Sequence, residues 1–255
     1  MLYLSPIHRV LRLSGPDALT FLQSQLTNDI AALAVGGWQW QGYCSAKGRL
    51  LATFALARVG EDGWEAVVHS STIDAVAKRL TMFRMRSKVV IEITADRSVG
   101  WAFDVAGEAT SGLNLALPDG RAYVLLDAAV ATTLPPADDA IRQRWQALNI
   151  DAMQPEVTAP TVEMFVPQMI DWDAVQPGGG VSFSKGCFPG QEVVARAHYR
   201  GAVKRRLEKV ALTSTEMTAA GTEIVLLDGR TAEVCNIART SEHSVCALVV
   251  AGPLT

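Results

Sequence analysis

Cys187 stands in the segment Lys-Gly-Cys-Phe-Pro-Gly-Gln-Glu (Lys185 to Glu192), where two glycines and a proline impose a tight turn. Lys185 precedes the sulfur by two residues, and Arg196, His198 and Arg200 follow it. Positive neighbours favour the thiolate, and the thiolate is the form that attacks, ligates or exchanges. The segment therefore points to a reactive thiol. The competing reading makes Cys187 a small buried hydrophobe, the commoner fate of a lone cysteine. The other cysteines, Cys44, Cys235 and Cys246, form no Cys-x-x-Cys pair and no ferredoxin-like run, so a stable four-cysteine cluster is not expected. Cys235 and Cys246 lie in apolar, strand-like stretches and read as core residues.

A loop of this kind needs a scaffold. Val10, Leu11 and Leu13 form a strand-like run ending at Ser14-Gly-Pro-Asp, where Ser14 can cap a helix and Pro16 suits its first turn. Ala18, Leu19, Phe21, Leu22 and Leu26 continue at helical spacing. The apolar run from Leu50 to Val59 and the run from Trp64 to Val68 predict two strands joined by a hairpin turn at Gly60-Glu-Asp-Gly. A second helix follows from Ser71 or Thr72 to about Met82, then a strand from Lys88 to Ile93. A similar order recurs beyond residue 97. Strands are expected at Val99–Phe103 and Tyr123–Leu126, and helix between Ala129 and Ile150, broken at Pro135-Pro136 and restarted by an Asp138 cap. Prolines and Pro177-Gly-Gly-Gly then interrupt regular structure, although Phe165, Trp172 and Phe183 argue against disorder. After Gly201 the pattern becomes short strands (Arg206–Leu212, Glu223–Leu227, Thr231–Ala238, Ser244–Val250), with Asp228-Gly229 as a turn.

Val181 to Leu207, with its Lys-Gly-Cys-Phe-Pro-Gly-Gln-Glu core, closely resembles the signature of the YgfZ family, folate-binding relatives of the aminomethyltransferase of glycine cleavage. Phe21–Ile30, Cys44–Leu50, Trp145–Asp151 and Phe165–Met169 resemble further segments of that family in the expected order. The resemblance implies an α+β, aminomethyltransferase-like fold: a folate-binding region over 1–202 made of two αβ halves, roughly 1–96 and 97–202, with interleaving allowed, then a small antiparallel β-barrel over 203–255. It implies tetrahydrofolate as cofactor and iron–sulfur client enzymes, including tRNA-modifying ones, as partners. Cys187 is then the reactive thiol.

A folate pocket needs flat apolar walls, a few convergent polar groups and a basic mouth. Trp145, Phe165 and Trp172 are candidates for the walls, Asp151, Glu163 and Gln168 for the pterin edge, and Lys185, Arg196, Arg200, Lys204, Arg205 and Arg206 for the anionic tail. Each has a plainer reading. Trp145 keeps helical spacing with Ile141 and Leu148, as a core residue would, and the basic run can be a solvated face. The resemblance favours Trp145 as a folate contact, while a second tryptophan of the family aligns with His8. The acidic residues that transfer chemistry requires fall at Leu51 and Ala52, and an aliphatic group cannot take up a proton. An accessory protein is therefore expected over a folate-dependent aminomethyltransferase or demethylase.

Bulk properties agree without deciding. The 255 residues are 49% hydrophobic with a net charge of -3, enough for a substantial core and no general attraction to nucleic acid or anionic membrane. The acidic balance speaks against direct nucleic-acid binding. No signal or transit pattern is visible, so a cytoplasmic, non-membrane, monomeric protein is expected.

Overall fold

The computed structural model describes residues 1–104, 112–201, 203–213, 218–240 and 244–253. Strand β1 (Leu2–Leu4) is followed by β2 (His8–Ser14), helix α1 (Ala18–Gln25), β3 (Trp38–Cys44), β4 (Leu50–Gly60), β5 (Gly63–His69), α2 (Ile73–Phe83) and β6 (Val90–Ile93). These strands, β1 excepted, form a five-stranded antiparallel sheet in the order β3-β4-β5-β2-β6. Period-two alternation gives the sheet two apolar faces. Leu11, Leu13, Phe54, Leu56 and Trp64 pack with Phe21 and Leu22 of α1 and with Val76 and Leu80 of α2. Val10, Trp40, Ala55 and Val67 face the other way, into the largest core.

The second half supplies the partner for that second face. Strands β7 (Arg97–Ala102), β8 (Leu113–Ala116) and β9 (Ala122–Asp127) form a sheet in the order β1-β7-β9-β8, so the N-terminal strand is paired into the later half. Val99, Trp101, Tyr123 and Leu125 enter the shared core, while Ala102, Ala122, Val124 and Leu126 pack on the far side. Short α3 (Ala128–Ala131) leads to α4 (Asp139–Asp151), whose N-cap Asp138 accepts from the Ile141 N–H at 2.8 Å, as expected. Ser14, by contrast, ends β2; the first helix has Asp17 at its N-cap.

The connection after α4 carries two single-turn 3-10 helices (Ala159–Thr161 and Pro167–Ile170) and then α5 (Gln191–Arg200). Strands β10 (Arg206–Thr213), β11 (Glu223–Val225), β12 (Thr231–Arg239) and β13 (Ser244–Ala251) close the chain as an antiparallel sheet in the order β10-β13-β12-β11. The barrel is left open. Among the described residues β10 and β11 do not pair, and they flank a cleft of about 590 Å³. No helix among the described residues is long and apolar enough to cross a membrane.

Among the strands and α-helices, β1, β3, β8 and α5 escape the sequence pattern. β3 contains Gln39 and Gln41, which interrupt any apolar run; Gln41 is nevertheless buried, and its carbonyl accepts from the Asn28 N–H at 2.9 Å. α5 exposes most of its residues and buries Val194, so little apolar surface marks it.

Candidate functional site

Cys187 is exposed on the loop that leads into α5. The loop is pinned on both sides of the sulfur. Phe188 is buried, and the Lys185 ammonium donates to the backbone carbonyls of Gln23, at 2.6 Å, and Leu26. Those carbonyls end α1, where unpaired acceptors and the helix dipole favour a cation. Burial lowers the Lys185 pKa to about 8, with Asp29 acting in the opposite direction. Lys185 is thus a C-terminal cap on α1 that also lies 5.3 Å from the Phe188 ring. Two of its three N–H donors are used by these carbonyls, so Lys185 has a structural role in joining the Cys187 loop to α1.

The other anchor is a backbone contact. Gly190 has φ +79°, and a Cβ there would lie 2.4 Å from both the Gly48 nitrogen and the Ser45 oxygen. Gly48, at φ +70°, would in turn meet Val193 at 2.8 Å. The Lys47-Gly-Arg turn is the β3–β4 hairpin connection, closed by Ser45 and Arg49, and it is the seat on which the Cys187 loop rests. The two segments that stood out separately in the sequence therefore form one unit.

The other cysteines differ in kind. Cys44 and Cys235 are fully buried; burial pushes the Cys44 thiol up to about 12 and the Cys235 thiol up as well. Both remain inert thiols.

The interior between the first two sheets holds a polar and aromatic cluster. One cavity of about 20 Å³ is lined by Trp40, Thr53, Tyr123, Asn149, Gln154, Glu156 and Trp172, among others. Another, of about 40 Å³, shares Asn149, Gln154 and Glu156 and adds His69 and Asn236. Glu156 accepts from His8 Nε2 at 2.8 Å. Trp101 Nε1 donates to His8 Nδ1 at 3.2 Å; an indole N–H only donates, so the His8 proton sits on Nε2. Burial raises the Glu156 carboxyl, but its electrostatic interactions with His8 and His69 and the His8 hydrogen bond outweigh it and carry it below its ordinary value. Arg121 is buried beside this cluster, bonded to Asp119 at 2.8 Å, Asn149 at 2.6 Å and Gln154 at 3.3 Å.

No family model matches the chain. The curated proteins give a clear result. The "tRNA-modifying protein YgfZ" of Serratia proteamaculans is 30% identical, covering 93% of this chain and 80% of that one. The protein of the same name from an Enterobacter species is 32% identical, covering 85% and 73%. The chain belongs to the YgfZ family. Among solved structures, the glycine cleavage system aminomethyltransferase T from Bartonella henselae matches with a TM-score of 0.72, covering 98% of this chain and 78% of that one at 16% identity. The YgfZ chain thus has the aminomethyltransferase fold.

Within that YgfZ fold the expected site residues separate. Trp145 is fully buried, one layer behind the cavity wall, with Tyr123 between them at 5.1 Å. Trp172 does line the cavity. Phe165 is buried beneath the β4 entrance, where its carbonyl accepts from the Leu50 N–H at 2.8 Å. Gln168 is buried and donates to the Val194 carbonyl at 2.9 Å, so it braces α5. Asp151 and Glu163 are exposed, and Asp151 pairs with Lys209 at 3.2 Å; neither reaches the interior. Arg196 and Arg200 are exposed on α5 with no ion pair among the described residues. The interior polar set is Asn149, Gln154, Glu156, His8 and Arg121. His8 carried a signal, as the position where the family's tryptophan would fall; Gln154 and Glu156, flanking Pro155, carried none.

The lining has the chemistry of a pteridine site, with aromatic walls and convergent amide and carboxylate groups. Its volume does not fit. Cavities of about 20 and 40 Å³ hold roughly a water molecule, whereas small-molecule pockets start near roughly 300 Å³. β4 lines the smaller cavity with Thr53, Phe54 and Ala55, and none is a carboxylate; Ala52 packs on the opposite face of the sheet.

Proposed function

We propose that this protein is an accessory factor of tRNA modification that supports assembly or repair of iron–sulfur clusters in client enzymes, with Cys187 as its working thiol. The observation that carries this reading is an exposed cysteine on a loop fixed by Lys185, Phe188 and Gly190, beside two buried and inert cysteines. A fixed, accessible sulfur suits iron ligation or disulfide exchange with a partner. In cells lacking the native protein, Cys187→Ala should fail to restore tRNA methylthiolation, while Cys235→Ala should restore it. Equal rescue by both variants removes Cys187 from the mechanism. One-carbon transfer is disfavoured because β4 brings no carboxylate to the interior cavity, and the carboxylate that lines it, Glu156, is engaged by His8 at 2.8 Å.

A second reading concerns tetrahydrofolate. It is favoured by the convergence of Asn149, Gln154 and Glu156 on a cavity walled by Trp40, Tyr123 and Trp172. Entry of a pteridine requires those walls to part, and we derive no chemical step through it. Tetrahydrofolate should quench tryptophan fluorescence saturably, and Glu156→Gln should weaken that binding by about tenfold, the loss of one charge-assisted hydrogen bond. A flat titration of the native protein ends this reading and leaves the Cys187 reading standing.

A further inference from the structure

We propose that the exposed end of α5 is a platform for single-stranded nucleic acid, distinct from the Cys187 loop and independent of its chemistry. Three features meet there. Phe183 stacks on His198 at 3.7 Å and 19° between planes, and Tyr199 meets His198 edge-on at 5.0 Å while remaining 72% exposed. A stack of aromatic rings left open to solvent is a surface on which a base can add one more layer. The same helix lines, through Val193, Arg196 and Ala197, a groove of about 340 Å³ whose other walls include Val166, Met169 and Val203, with Lys204 and Arg205 also at its rim. Its size and apolar lining suit a flat base turned inward.

The third feature is charge left unspent. Of the cations between Arg196 and Lys209, Arg205 is paired with Glu233, Arg206 with Asp171 at 3.5 Å, and Lys209 with Asp151 at 3.2 Å. Arg196, Arg200 and Lys204 are exposed and make no ion pair among the described residues. Asp173 approaches His198 at 3.9 Å and is the acidic group facing the aromatic stack. Open cations beside open rings match the alternation of phosphate and base along a single strand. The net charge of -3 bears on long-range attraction, not on this local pattern. An acidic peptide would use the cations and leave the stacked rings without a role, so the nucleic acid is the better match.

The test is fluorescence anisotropy of the full chain with labelled oligoadenylates of about ten nucleotides. RNA, DNA and a perfect RNA duplex form the arms. Both single strands should bind saturably at low salt and the duplex much more weakly. Tighter binding of RNA than DNA would add a 2′-hydroxyl contact; equal binding would make the platform sugar-blind, and either supports the assignment. Tyr199→Ala should weaken binding by about tenfold, while Tyr199→Phe holds it, because a ring face and not a hydroxyl does the stacking. Each neutralised phosphate contributes about 0.7 to the slope of log affinity against log salt, so Arg196, Arg200 and Lys204 together give about 2. Arg196→Gln with Arg200→Gln should reduce it to about 0.7. Lys209→Gln, whose ammonium is already paired, should change neither affinity nor slope. Absence of saturable binding, equal affinity for the duplex, or capture of oligoglutamate without competition from oligonucleotide would overturn the assignment.

Discussion

Gly190→Ala should lower the stability of the protein by several kcal/mol and release the Cys187 loop from its seat. Two costs add at this position. A non-glycine residue at φ +79° sits in the left-handed region, at roughly 1–2 kcal/mol. The new methyl would also lie 2.4 Å from the Gly48 nitrogen and the Ser45 oxygen, inside any allowed contact, so one of two backbone segments must retreat. Gly36 separates the two costs. Its φ is +83°, and no atom lies within 4 Å of the position its Cβ would take. Gly36→Ala should therefore show the conformational term alone, about 1–2 kcal/mol, and Gly190→Ala at least twice that in urea unfolding. Alkylation of Cys187 by a maleimide should accelerate in Gly190→Ala and remain at the native rate in Gly36→Ala. Equal unfolding midpoints for the two variants would show that the Gly48–Gly190 contact does not hold the loop.

That contact also explains what the sequence could and could not convey. The strands β2, β4, β5, β7 and β9 were legible because each is a compact apolar run with turn residues at its ends. The helix caps were partly legible: Asp138 acts as expected, whereas Ser14 does not. The order of the sheets was not, since β1 pairs with β7 across almost a hundred residues and no local pattern encodes that pairing. At the site, chemistry-bearing types were found readily and their surroundings were not. Lys185 reads in the sequence as a neighbour of the thiol; that it also caps the end of α1, a partner distant in sequence, no local pattern conveys. Gln168 looked like a ligand group and braces α5. Gln154 and Glu156 went unnoticed, because a lone amide and a lone carboxylate in a proline-rich connection give no sign of burial.

Trp145 is the residue on which a ligand role and a structural role make opposite predictions. Its indole is wholly covered. It stacks on Trp101 with ring centroids 5.0 Å apart and planes 3° from parallel, and it packs edgewise on Phe103 at 5.5 Å and Tyr123 at 5.1 Å. The Arg121 guanidinium lies 4.6 Å from its ring centre, tying α4 to the loop before β9. A tryptophan that served mainly as a ligand wall would leave a stable apo protein when truncated. One that fills the joint between α4 and the second sheet would not. Trp145→Ala should cost about 3–5 kcal/mol, the range for deleting a buried aromatic, and lower the melting temperature by about 10 °C or more in the absence of any ligand. Trp145→Phe, which retains a ring against Trp101, should cost less than half as much. Tyr123 rests on Trp145 and lines the cavity, so the alanine variant should also alter any ligand affinity indirectly, through the wall. An alanine variant that melts within about 2 °C of the native protein, yet has lost tetrahydrofolate quenching, would return Trp145 to the binding surface and refute the packing role.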